Sequence, residues 1–212
     1  MAIEDEKRLA AEAAAELVEP GMAIGLGTGT TIAYFLPALA ARGLEVRCVA
    51  TSVRTEQAAG ELGFHVEPFE ELDRLDLAVD GADQIAPDGW LVKGGGGANA
   101  REKIVAAAAD RFVVIASSDK RVEHLSPPVP LELMAFGLQA TVRSIGEVDL
   151  RNAPRTPDGG VIADYVGPVD DPATLAELLD GFPGVVAHGL FPPLLVSEIL
   201  VATGDGLERI TP

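Results

Sequence analysis

The sequence predicts an α/β fold: a Rossmann-like domain built on a parallel sheet, followed by a second, smaller α+β domain of ferredoxin-like type. Three observations carry this. Short apolar runs alternate with Ala- and Leu-rich helical patterns as far as residue 120, and alternating β and α segments imply a parallel, doubly wound sheet. Those runs end in Gly, Thr, Asp, Ser and Lys, which places four polar loops at one edge of one sheet. The segment Ser126-Pro127-Pro128-Val129-Pro130 then breaks the alternation, and a β/α/β/β/α/β succession follows it. The expected domains are residues 1–126 with 203–212, and residues 127–202, the smaller being the expected oligomerisation domain.

Residues 3–18 read as a helix, with Ile3, Leu9, Ala13, Leu17 and Val18 as its apolar stripe and Pro20-Gly21 as its stop. Residues 22–26 form a strand. Gly25-Leu26-Gly27-Thr28-Gly29-Thr30-Thr31 then opens a helix to residue 41, where Pro37 predicts a kink or a start one turn later. A strand at 46–50, a helix at 54–62 closed by Gly63, and a short strand at 64–67 come next. Residues 68–74 form an acidic loop or helical turn, and 75–79 a buried strand ending in Asp80-Gly81-Ala82-Asp83-Gln84. After the turn Pro87-Asp88-Gly89, residues 90–92 lead into Gly94–Gly97 and a helix, and 111–116 is a buried strand before Ser117-Ser118-Asp119-Lys120. Beyond the Pro-rich break, 131–147 reads as a short strand and a helix, with strands at 148–152 and 160–166. A helix starts at Asp171-Pro172, with Pro at its first position. Strands at 185–190 and 195–202 complete the smaller domain, and 207–210 returns to the first sheet.

Composition narrows the functional classes. The 212 residues are 48% hydrophobic and 5% aromatic, as in an aliphatic α/β core. No apolar run reaches the roughly 18 residues that span a bilayer, and the acidic start (Glu4, Asp5, Glu6) is unlike a secretory signal. Cys48 stands alone, so no intramolecular disulfide forms, and cytoplasmic residence is expected. Cys48 reads as inert core, and His65, His124 and His188 as structural or solvated, with no metal-ligand cluster. A net charge of −17 opposes binding to nucleic acid or anionic lipid.

The chemistry concentrates in residues 93–103, Lys-Gly-Gly-Gly-Gly-Ala-Asn-Ala-Arg-Glu-Lys. A strand, a glycine loop and a helix point N–H groups at an anion. Lys93 adds a cation at the mouth of the loop, and Glu102 a carboxylate about one turn into the helix. The Gly25–Gly29 loop fits a dinucleotide fingerprint only loosely. Its hydroxyls suit a phosphate or sugar hydroxyls, or serve simply as a Thr cap with turn glycines. Asp80 and Asp83 sit where an open α/β sheet binds ligands, and are otherwise solvated turn acids.

Together these loops resemble type A ribose-5-phosphate isomerase. The matching residues are Gly25 to Thr31, Asp80 to Gln84, Lys93 to Gly96 with Arg101 to Ile104, Asp119-Lys120, Pro128 to Leu133, Gly184-Val185-Val186 and Gly189-Leu190-Phe191. The resemblance implies interconversion of D-ribose 5-phosphate and D-ribulose 5-phosphate through an enediolate, in the non-oxidative branch of the pentose phosphate pathway. No cofactor and no metal is implied. Glu102 is the implied base, shuttling a proton between C2 and C1, with a pKa that desolvation can raise. Asp80 and Asp83 are expected to handle hydroxyl protons and ring opening. Lys93 and the Gly94, Gly95 and Gly96 amides are expected to hold developing charge on oxygen. Thr28, Gly29, Thr30, Thr31 and Lys120, with Gly81 and Ala82, are the expected substrate-binding residues, and Lys7 a weaker phosphate candidate. The partner is then a small sugar phosphate, in a homodimer or homotetramer. Gln84 departs from the family's acid at that position. Two other readings stay open: a non-catalytic sugar-phosphate sensor, and another sugar-phosphate enzyme of this fold, such as an aminosugar-phosphate deaminase or a CoA transferase.

Overall fold

The computed structural model describes residues 1–72 and 74–212. In chain order the elements begin α1 (Ile3–Ala15), β1 (Ala23–Leu26), α2 (Ile32–Ala41), β2 (Arg47–Ala50), α3 (Val53–Glu61) and β3 (Leu77–Asp80). Next come β4 (Gln84–Ile85), β5 (Leu91–Val92), α4 (Asn99–Ala108), β6 (Phe112–Ser117), β7 (Val129–Leu133), α5 (Leu138–Ile145) and β8 (Val148–Leu150). The last are β9 (Val161–Tyr165), α6 (Pro172–Asp180), β10 (Val185–His188), β11 (Leu190–Phe191), β12 (Glu198–Thr203) and β13 (Gly206–Ile210).

The chain divides into two compact units. The first is Met1–Ala82, Ile104–Lys120 and Leu194–Pro212. Its sheet has the order β13-β12-β6-β3-β1-β2, parallel except for the edge strand β13. Every residue of the central strands β3 and β6 is buried, so they read as continuous apolar runs rather than alternating ones. Ala10, Ala11, Ala14 and Ala15 of α1 join Ile24, Leu26, Phe35, Leu39 and Ile115 in the core. Small side chains on that face of α1 let the helix lie close to its neighbours. A β-carbon on Gly25 would overlap Val105, so glycine is what admits the end of α4 against β1. Because β1, β2, β3 and β6 are parallel, the residues at or just beyond their ends (Gly27, Thr51, Asp80 and Asp119-Lys120) share one edge of the sheet.

The second unit is Asp83–Lys103 and Arg121–Pro193. Its four-stranded sheet has the order β10-β7-β9-β8, with every adjacent pair antiparallel. Reading these strands in chain order gives the spatial order 4-1-3-2, the ferredoxin-like arrangement. β7 is buried at all five positions, and Leu131, Leu133, Ala163, Leu175 and Leu179 form the core. A separate three-stranded sheet joins β11, β5 and β4.

Several expectations are corrected. β5, and with it the loop beginning at Lys93, belongs to this small antiparallel sheet and not to the parallel one. Two-residue strands have no periodicity to reveal their partner. Residues 64–67 form no strand; only an isolated Cys48–Val66 bridge occurs there. The acidic segment contains a 3₁₀ turn, Phe69–Glu71, and Asp73 lies outside the described residues. α2 starts at Ile32 and runs through Pro37, with no delayed start. The expected boundary after residue 126 differs from the observed division. β12 pairs with β6 in the first sheet, while Asp83–Lys103 and the segment from Arg121 belong to the second unit. Strand partners distant in sequence decide this, and the Pro-rich segment does not signal it.

Gln84 holds the start of that second segment. Its carboxamide nitrogen donates to the Ser126 carbonyl and its oxygen accepts from the Ser126 N–H, both at 2.8 Å. A carboxylate accepts but cannot donate, which accounts for an amide here. Gln84→Glu is expected to lower unfolding stability by about 1 kcal/mol at neutral pH. Denaturant midpoints of the two proteins check this.

Candidate active site

In the first unit the site is built on the loop after β1. Asp80, at the end of β3 and buried, accepts hydrogen bonds on one carboxylate oxygen from the N–H groups of Thr28 (3.0 Å) and Gly81 (2.8 Å). A β-carbon on Gly27 would overlap that carboxylate, so glycine is required beneath Asp80. The Thr28 hydroxyl lies 2.8 Å from those of Thr51 and Ser52 and 3.3 Å from that of Thr55, whose own hydroxyl donates to the Gly27 carbonyl. The loop after β1 is thus tied to the loop after β2 by hydroxyls. Gly29 has a φ of 137°, a conformation that disfavours side chains. Thr30 is exposed, Thr31 is buried at the start of α2, and Gly81 and Ala82 are half-buried.

Two of the candidate lysines lie in the same unit. Lys120, after β6, lies 3.4 Å from Asp119. The β6 turn is held by buried Glu6, whose carboxylate accepts from the Ser118 N–H (2.9 Å) and hydroxyl (2.7 Å). Those bonds hold the Glu6 carboxyl below its usual pKa. Lys7 pairs with Glu4 at 2.8 Å. Cys48 is fully buried, and desolvation pushes its thiol up to about 12, as inert core requires.

In the second unit the Lys93 ammonium lies 3.3 Å from the Glu102 carboxylate, with side chains only 2% and 3% exposed. The Lys93 ammonium also lies 5.3 Å from the Phe191 ring centroid, and the Lys103 ammonium 5.2 Å from it. The glycines shape the loop between Lys93 and α4. Gly94 has a φ of 94°, and a β-carbon there would overlap the buried Asn99 carboxamide. Turned so that both neighbours are satisfied, that amide donates to the Gly94 carbonyl (3.1 Å) and accepts from the Leu131 N–H (3.2 Å).

Two N–H groups of this loop and helix start are engaged by the protein's own carboxylates. Asp83 accepts from the Gly95 N–H at 2.8 Å. Buried Glu132 accepts from the Ala100 N–H in the first turn of α4 (3.2 Å) and from the Thr156 hydroxyl (2.7 Å). The Gly95 N–H, one of the expected oxyanion donors, is thus engaged by Asp83. Of the four catalytic candidates, Lys93 and Glu102 form a direct pair. Asp83 sits in the same unit on the glycine loop, and Asp80 in the first unit under the Thr28 loop.

Sequence reasoning gave no site role to Glu6, Glu132, Phe191 or Arg151, and read His188 as structural or solvated. The first two look like ordinary helix and strand acids, and their value comes from backbone donors distant in sequence. His188 is buried and structural. Its Nδ1 accepts from the Leu190 N–H at 3.2 Å, and its Nε2 lies 3.2 Å from Asp180. The Lys103 ammonium is 3.3 Å from Nδ1. Burial, then the Lys103 charge, lowers the His188 pKa to about 4, and burial lowers that of Lys103 to about 8.

A buried carboxylate–ammonium pair on a glycine loop, with aspartates fixed by backbone amides, is acid–base equipment on an α/β scaffold. A family model described as ribose 5-phosphate isomerase A (phosphoriboisomerase A) matches residues 47–206. A Caulobacter vibrioides protein named ribose-5-phosphate isomerase A is 45% identical over 228 residues, covering 100% of both chains. The crystal structure of ribose 5-phosphate isomerase A from Neisseria gonorrhoeae superposes with a TM-score of 0.94 at 32% identity, covering 100% of this chain and 98% of that one. A D-ribose-5-phosphate isomerase in complex with phospho-erythronic acid gives 0.93 at 31% identity, covering 100% of each chain. The chain belongs to the ribose 5-phosphate isomerase A family.

The histidine generates a prediction. An unfolded His titrates near pH 6.5, whereas folded His188 stays neutral to about pH 4. As pH falls through that window the unfolded state takes up the proton first, so stability is lost. In His188→Gln this part of the acid loss is expected to vanish, read from denaturant midpoints between pH 7 and pH 4.5.

Proposed function

We propose that the protein interconverts D-ribose 5-phosphate and D-ribulose 5-phosphate, with Glu102 as the proton-carrying base. The observation that carries this is the buried Lys93–Glu102 pair, in a chain of the ribose 5-phosphate isomerase A family. A relative solved with phospho-erythronic acid supports the substrate class. The planar carboxylate of that acid has the shape and charge of an enediolate.

In the open-chain aldose, Glu102 removes the proton on C2. The electron pair forms the C1–C2 double bond, and negative charge develops on O1. O1 gains a proton, O2 loses one, and Glu102 returns its proton to C1, leaving the ketone at C2. Nothing is oxidised or reduced overall, because the two carbons exchange oxidation levels within one molecule. Lys93 serves twice. Its charge favours ionised Glu102 before the transfer, and it opposes the charge on the enediolate oxygens after it. With the Gly95 N–H engaged by Asp83, this second task falls mainly to the ammonium. Asp83 and Asp80 exchange the hydroxyl protons and assist ring opening.

For the phosphate, the candidates are the Thr28–Thr31 segment, which leads into α2, and Lys120, which follows β6. In the second unit the first turn of α4 already has a carboxylate bound. The enzyme acts in the cytoplasm as a homodimer or homotetramer assembled through the smaller α+β domain, which light scattering tests. Among the described residues no helix is long and apolar enough to cross a membrane.

Glu102→Gln is expected to lower kcat by about 10²–10⁴-fold with KM little changed. The check is ribulose 5-phosphate formation from ribose 5-phosphate at saturation. Near-normal kcat in this variant removes Glu102 from the role of base.

A further inference from the structure

Gly95 is gripped on both sides. Its N–H donates to Asp83 at 2.8 Å, and its carbonyl accepts from an Arg151 guanidinium nitrogen at 2.9 Å. The other two guanidinium contacts form a bidentate pair with Asp164 on β9, both at 2.6 Å. The Arg151 N–H donates to the Ile162 carbonyl at 3.0 Å, which ties its backbone to β9 as well. The Asp83 N–H donates to the Val92 carbonyl of β5 at 2.8 Å. A β-carbon on Gly95 would lie 2.9 Å from both Asp83 carboxylate oxygens, so the side chain lies directly over the glycine. A strut therefore runs Asp164–Arg151–Gly95–Asp83, from the antiparallel sheet to the glycine loop. Asp164, then also the charge of Asp83, holds the guanidinium above its usual pKa.

A planar fork with five donors can meet a carboxylate in two bonds and still reach a third acceptor. The ammonium of lysine cannot reproduce that span. Asp83 itself is exposed, and the loop it rests on contains four successive glycines with wide backbone freedom. Without the strut, the Gly95 N–H would be the one hydrogen bond from the described residues to fix the angle of its carboxylate. We propose that Arg151, oriented by Asp164, is a positioning residue for the isomerisation, fixing Gly95 and through it the Asp83 carboxylate. The proposal rests on the reading of Asp83 as a group that exchanges hydroxyl protons. Arg151 touches the loop and need not touch substrate, so its effect falls on kcat more than on KM.

The test is a double-mutant cycle on the full-length protein, measuring kcat and KM for ribose 5-phosphate in wild type, Asp83→Asn, Arg151→Ala and the double variant. Arg151→Lys and Asp164→Asn serve as variants with gentler effects on folding, and thermal midpoints confirm that each is folded at the assay temperature. The expected result is a loss in kcat of about 10–100-fold for Arg151→Ala with KM within about threefold. Arg151→Lys and Asp164→Asn should show part of this loss. In the Asp83→Asn background, Arg151→Ala should cost no more than about twofold, because its target is already gone. An impaired Asp83→Asn together with wild-type kcat in folded Arg151→Ala or Arg151→Lys overturns the proposal alone. So does an Arg151→Ala loss of equal size in both backgrounds. Wild-type kcat in Asp83→Asn instead removes the reading of Asp83, and the strut's proposed purpose with it.

Discussion

Two opposite charges 3.3 Å apart and almost wholly out of water are the constraint to which the second unit is fitted. Removing one partner of such a pair leaves an uncompensated charge, at a cost of about 3–5 kcal/mol. The chain must therefore hold Lys93 and Glu102 together although eight residues lie between them, around a turn. Lys93 is fixed by strand pairing, since its N–H donates to the Gly189 carbonyl. Glu102 is fixed by α4, whose first turn is anchored on Glu132 and whose buried Asn99 ties Gly94 to β7. Glycine is needed between them because the loop turns back over Asn99 at Gly94 and under Asp83 at Gly95.

The same economy of anions appears in both units. Backbone N–H groups that a glycine loop or helix start would offer to a ligand are given to Asp80, Asp83, Glu132 and Glu6. Fixed carboxylates gain from this in two ways. Their hydrogen bonds orient them, and little reorganisation is left for the moment of proton transfer. In a chain with a net charge of −17, placing acids against amides instead of against one another also limits repulsion at the site.

Much of this was legible in the sequence. The parallel sheet was readable because the 75–79 and 111–116 runs are long, apolar and bounded by polar turns. The ferredoxin-like order followed from the β/α/β/β/α/β succession. The Lys93–Glu102 region stood out because four glycines between a strand and a helix have few structural explanations. What escaped depends on partners distant in the chain. β4, β5 and β11 have two residues each, too few for a pattern, and their sheet forms because residues 84–85 and 190–191 both pair with residues 91–92. Arg151 falls in a segment that reads as strand 148–152, just past the end of β8, and lies 56 residues from the Gly95 carbonyl it holds. Gln84 looked like a lost acid, and its need for a donor becomes visible only with Ser126 beside it.

The central claim is that one carboxylate, Glu102, moves the proton between two adjacent carbons. Its most direct measurement uses ribose 5-phosphate deuterated at C2 and follows the label by NMR. The account predicts a slowed reaction for the labelled substrate, with deuterium appearing at C1 of ribulose 5-phosphate or in water. It also predicts that Glu102→Gln leaves the label at C2. Loss of the C2 deuteron at the wild-type rate in Glu102→Gln would contradict it.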